Sequence, residues 1–78
     1  MKLTIQMERE EDGRFIAEVL ELPGVIVYGH TEQEAVNKVK ALALRVLADR
    51  IEHAEAKEEM LTFFQIANTD SNVESQVT

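Results

Sequence analysis

Leu20-Glu21-Leu22-Pro23-Gly24-Val25-Ile26-Val27-Tyr28-Gly29-His30-Thr31-Glu32-Gln33-Glu34-Ala35 places a turn, an apolar run and a helix start one after another, and its reading decides the fold. Pro23 fixes φ at the first corner of a turn, and Gly24 can take a positive φ at the second, as a type II turn requires. A strand cannot run through that pair. Val25 to Tyr28 is apolar on both faces and rich in β-branched residues, which predicts a strand whose outer face is also covered. Gly29-His30 then breaks the strand. Thr31, with Glu34 three residues on, makes a capping box, and Glu32 and Glu34 put negative charge in the first helical turn, where the dipole favours it. No catalytic group stands in the stretch.

Working outward toward the N-terminus, residues 2 to 8 alternate strictly. Leu3, Ile5 and Met7 fall on one face and Lys2, Thr4, Gln6 and Glu8 on the other, the period of a half-buried strand. Asp12-Gly13 suits the positive φ angles of a tight hairpin. Arg14 to Val19 should return antiparallel, with Phe15, Ala17 and Val19 toward the core and Arg14, Ile16 and Glu18 on the other side. Ile16, Ile26 and Tyr28 thus coincide on one outer face, a hint of a second interface.

Toward the C-terminus, Ala35, Val36, Val39, Leu42, Ala43, Val46, Leu47 and Ala54 form a stripe at helical spacing, predicting a helix that lies on the sheet. At 100° per residue the stripe covers about 140° of the helix, yet Ala41, Leu44, Ala48 and Ile51 fall on a neighbouring flank. Either the C-terminal segment wraps that flank or Leu44 and Ile51 meet a second subunit. The helix should end between Arg50 and Glu59. Met60 to Ile66 reads as a fourth strand, with a helical continuation as the alternative because Met60, Phe63 and Phe64 also fit helical spacing. Residues 1–67 then form one α+β domain, and 68–78 a polar tail expected to be disordered.

The chain has 78 residues, room for a single small core. It has no cysteine, hence neither disulfides nor thiolate metal ligands, and small domains without such staples often gain stability by associating. A homo-oligomer, dimer or tetramer, is expected. Fifteen acidic residues against eight basic ones give a net charge of -7, which argues against gripping a phosphate backbone and favours solubility or a basic protein partner. No run approaches the roughly 18 apolar residues of a membrane span, so the reading expects a soluble cytoplasmic protein with no membrane association.

No motif in the sequence carries catalytic or ligand-binding chemistry. The glycines at 13, 24 and 29 stand singly at turns and element ends, forming no phosphate loop. Ser71 and Ser75 sit in the polar tail with no histidine near them in sequence, and His30 and His53 lack ligand spacing around them. The acids could suggest a two-metal nuclease, but Glu8, Glu18 and Glu21 alternate with apolar residues or lie at strand ends, the pattern of a solvated face. The expectation is a protein that is not an enzyme, with no cofactor and no metal.

Asp12-Gly13, Ala17-Glu18-Val19, Glu21-Leu22-Pro23-Gly24-Val25 and Gly29-x-Thr31-x-x-Glu34-Ala35, in that order and spacing, resemble the HicB antitoxin family of bacterial HicA/HicB toxin-antitoxin pairs. The resemblance runs over about residues 3 to 52. It implies a partial ribonuclease-H-like β-β-β-α-β fold, self-association, and neutralisation of a small basic RNA-cleaving toxin. Full-length members carry a C-terminal helix-turn-helix or ribbon-helix-helix domain for operator DNA; after Ile66 this chain has a polar tail, which counts against DNA binding. The alternative readings are an orphan structural or ligand-binding oligomeric domain without a toxin and, after it, an acid-metal nuclease. Ile16, Ile26, Tyr28, Leu44 and Ile51 are the expected interface residues for partner or self.

Overall fold

The computed structural model describes residues 2–55 together with 64 and 67. The fourth-strand reading of 60–66 and the tail at 68–78 lie outside the described residues, apart from Phe64. Within them the order is β1 (Ile5–Arg9), β2 (Phe15–Val19), β3 (Ile26–Gly29) and α1 (Glu32–Glu52). The strands form an antiparallel sheet in the order β1-β2-β3, so the protein is an α+β fold with one helix following three strands.

Asp12-Gly13 does turn the β1–β2 hairpin, by a route other than two positive φ angles. Gly13 has φ 92 and Asp12 does not share the left-handed region. The Gly13 N–H donates to the Glu10 carbonyl at 2.9 Å, and the Glu10 N–H to the Arg14 carbonyl at 2.7 Å. A three-residue loop whose last residue is left-handed explains this pattern, and only glycine is needed there. The Asp12 carboxylate completes it, accepting from the Arg14 N–H at 3.0 Å and from Arg14 Nε at 2.8 Å.

Pro23-Gly24 forms the expected turn, with the Val25 N–H donating to the Leu22 carbonyl at 3.0 Å and Gly24 at φ 91. The turn drives two residues inward: Leu22 is completely buried and Val25 nearly so. Leu22 belongs to no periodic run, whereas Val25 continues the inner, odd-numbered side of the third strand. The same loop is tied to the start of the chain by Glu21, whose carboxylate accepts the Thr4 N–H and the Thr4 hydroxyl, each at 2.7 Å.

The core comprises Ala17, Val19, Leu22, Val25, Ala35, Val39, Ala43 and Leu47, between one sheet face and the helix. From Ala35 to Leu47 every fourth residue of α1 is buried, as a helix lying flat on a sheet demands. Val36, Leu42 and Val46 flank that line half-buried. Ala54 is the exception to the predicted stripe: the helix ends at Glu52, and Ala54 is exposed at φ 56, a left-handed C-terminal residue outside the helix. Leu3, Ile5 and Met7 point to the inner face but remain only half-buried, because α1 lies over β2 and β3 and barely reaches β1.

Gly29 is the other correction. It does not break β3; it is its last residue and is buried. A methyl group there would sit 2.6 Å from the Ala35 nitrogen and 2.9 Å from its Cα. Glycine is what lets the end of the strand pass against the first turn of the helix.

Candidate interaction surface

The antiparallel register sets Ile16 opposite Tyr28 and Glu18 opposite Ile26, so the three apolar residues do share the outer face. Ile26 is 45% and Tyr28 43% exposed, and Ile16 lies half-buried between them. Among the described residues nothing covers that face. Leu20, 49% exposed just after β2, follows the same even-numbered alternation and extends the patch, which the sequence reading overlooked. Gln6, Glu8, Ile16, Glu18 and Ile26 together line a shallow hollow with an apolar floor and two carboxylates at its side.

Arg14 brings a cation onto this face. The Arg14 guanidinium carbon lies 4.5 Å from the centroid of the Tyr28 ring, within the range of cation–π attraction. Asp12 holds the guanidinium from the other side at 2.8 Å. The Arg14 N–H, foremost, keeps the Asp12 carboxyl below its ordinary range. Arg14 and Tyr28 are fourteen positions apart in sequence, and only the β2–β3 register could have revealed their contact.

Leu44 and Ile51 occupy a different surface. They are 62% and 42% exposed on α1, which packs on the inner face of the sheet. The structure therefore divides the five predicted interface residues into an outer-sheet patch of Ile16, Ile26 and Tyr28 and a helix flank of Leu44 and Ile51. Ala41 and Ala48 are also exposed on that flank. Leu44 borders an apolar groove shared with Leu3, Ile5, Val19, Lys40 and Ala43, where the helix stops short of β1.

The junction of β3 and α1 is fixed by the capping residues. The Thr31 hydroxyl accepts the Glu34 N–H at 3.0 Å, while the Glu34 carboxylate reaches back one residue farther than a standard capping box, accepting the His30 N–H at 2.9 Å. That N–H, with smaller contributions from the His30 ring and Lys38, holds the Glu34 carboxyl below the usual glutamate value. Lys38 stands 3.4 Å from Glu34 in the i, i+4 position and donates to the Tyr28 carbonyl at 3.3 Å. The helix start is thus bound to the strand that carries Ile26 and Tyr28.

Among the described residues no three of His, Cys, Asp or Glu gather where they could hold a metal ion. No helix among them is long and apolar enough to cross a membrane. Comparison with protein-family models, with curated proteins and with solved structures gave no match. The described residues form a small α+β domain of three antiparallel strands and one helix, with an apolar patch on the sheet face that the helix leaves free.

Proposed function

We propose that this chain is a HicB-like antitoxin, or a stand-alone HicB-like protein, of partial ribonuclease-H-like fold. It is not an enzyme: it self-associates and neutralises a small basic RNA-cleaving toxin by protein–protein binding in the cytoplasm. The observation that carries the reading is the outer sheet face, where Ile26 and Tyr28 remain 45% and 43% exposed beside Glu8 and Glu18 on a chain of net charge -7. An apolar centre beside Glu8 and Glu18 on an acidic chain suits a basic protein surface: the centre supplies desolvated contact area and the net charge speeds and orients encounter.

The residues that carry the resemblance have physical work in this fold. Gly13 and Gly24 supply the positive φ values of the two turns, Glu21 ties the loop to Thr4, Gly29 admits Ala35, and Thr31 with Glu34 closes the helix start. These roles support a shared fold; the toxin rests on the surface.

Co-expression with the product of the adjacent reading frame tests the reading. A small basic protein should co-purify with the chain, and the chain should rescue growth arrested by that protein. No such neighbour, or a neighbour whose toxicity the chain leaves untouched, would defeat the antitoxin assignment.

A further inference from the structure

The apolar residues of the outer sheet face are confined to β2 and β3. The pairing aligns Glu8, Ile16 and Tyr28 in one row across the sheet and Gln6, Glu18 and Ile26 in the next. Leu20, whose N–H donates to the Thr4 carbonyl, continues the strip along β2. β1 contributes only Thr4, Gln6 and Glu8, all exposed and polar. Neighbouring strands lie about 4.8 Å apart, so the strip is roughly 10 Å wide, the diameter of one helix with its side chains. From the inner side, α1 lies over the same two strands.

Other docking elements fit this strip poorly. A second sheet would also have to lie on the polar row of β1. Strand addition beside the strip is blocked, because the outward backbone groups of β3 are engaged: the Ile26 N–H donates to the Gly24 carbonyl at 3.1 Å, and the Tyr28 carbonyl accepts from Lys38 Nζ at 3.3 Å.

Glu18 decides the chemistry of the cover. Ile16 and Leu20 flank it along β2 and Ile26 stands opposite, so whatever seals those three side chains from water seals the carboxylate too. Ile16, Glu18 and Ile26 line one hollow with Gln6 and Glu8. Among the described residues neither Glu8 nor Glu18 takes part in an ion pair, and Arg14 is committed to Asp12 and the Tyr28 ring. A carboxylate removed from water without a cation is strongly disfavoured, so the occupant must bring one.

We propose that the basic partner covers this face with one amphipathic helix laid along β2 and β3, and that a lysine or arginine within its apolar stripe pairs with Glu18 and Glu8. A helix of about three turns spans the strip from the Tyr28 row to Leu20. The stem of the basic side chain lies on Ile16 and Ile26 while its charge reaches the carboxylates. The inference rests on the antitoxin reading and names the element and the side chain by which the partner docks.

The test uses the full chain and the small basic protein that co-purifies with it. Glu18→Gln and Glu18→Leu should each raise the dissociation constant about tenfold or more, because the partner's cation is then buried unpaired. The urea midpoint of each free variant should stay close to that of the parent. Glu18→Leu fixes the sign, since an occupant without a cation would bind it as tightly as the parent or more tightly. The chain has no cysteine, so single Leu20→Cys, Ile26→Cys and Tyr28→Cys proteins carrying a photocrosslinker report the element. Cross-linked partner residues should recur at helical spacings of three and four. Undiminished binding by Glu18→Leu, or cross-links at the alternating spacing of a strand, overturns the inference and leaves the antitoxin reading intact. Cross-links only within the chain or to a second copy overturn it as well, with the partner then docking elsewhere. If no basic protein co-purifies, the antitoxin reading and the inference fall together.

Discussion

At the scale of single residues, Gly29 is the tightest point in the fold. Its backbone lies so close to Ala35 that a methyl group would meet main-chain atoms at 2.6 and 2.9 Å, and neither strand end nor helix turn can yield without moving the other. Gly29→Ala should therefore destabilise the domain by about 1–3 kcal/mol, the usual cost of overpacking, lowering the urea midpoint with an unchanged slope. Glu21 and Glu34 act through charge. Each carboxylate accepts backbone N–H bonds that favour its ionised form, from Thr4 and His30 respectively, and so has a lower pKa in the folded chain than in the unfolded one. Groups shifted in that direction stabilise fully above the ordinary glutamate value of about 4.3, and their contribution disappears as pH falls through the depressed folded values. The urea midpoint of the parent chain should consequently drop further between about pH 6 and pH 3 than that of a Glu21→Gln/Glu34→Gln variant. Equal drops would show that these bonds carry no charge-dependent stability.

At the scale of elements, the helix shows what periodicity can and cannot tell. Ala35, Val39, Ala43 and Leu47 recur at the spacing that places one line of side chains against a sheet, so their burial was legible without coordinates. Ala54 fits the same arithmetic but lies past the end of the helix, and no proline or glycine marked that end; the stop is made by Ala54 itself at φ 56, with the Glu55 N–H donating back to the Arg50 carbonyl at 2.7 Å. Leu22 escaped notice as core for a related reason. A turn, with no period to extrapolate, sends it inward, and chemically similar Leu20 is left outside. The exposed helix flank was legible as well, since Leu44 and Ile51 are two turns apart on the same side. If that flank meets a second copy, replacing Leu44 and Ile51 together by glutamate should lower the oligomer mass in light scattering while the far-ultraviolet dichroism stays that of the parent. Unchanged mass would assign self-association elsewhere.

At the scale of the whole molecule, a helix on one side of a three-stranded sheet leaves the other side of the sheet as surface among the described residues. In this chain that surface is neither uniformly polar nor wholly apolar: Ile16, Ile26 and Tyr28 form its centre, Arg14 rests on the Tyr28 ring, and Glu8 and Glu18 stand beside them. Stability does not account for the exposed side chains, because the core packs on the opposite face. Removing them should then separate binding from folding. An Ile26→Ala/Tyr28→Ala variant should keep its urea midpoint close to that of the parent, as exposed positions usually change stability within about 0.5 kcal/mol, with at most a slightly larger loss from the Arg14 contact. Its affinity for a basic protein partner should fall by tenfold or more, since truncating a central aromatic commonly costs about 2 kcal/mol at an interface. Titration calorimetry against the co-purified partner, paired with urea denaturation of the free variant, measures both quantities. Retained affinity would move the docking site off the outer sheet face, whereas a large loss of stability would mean that Ile26 and Tyr28 support the fold from outside.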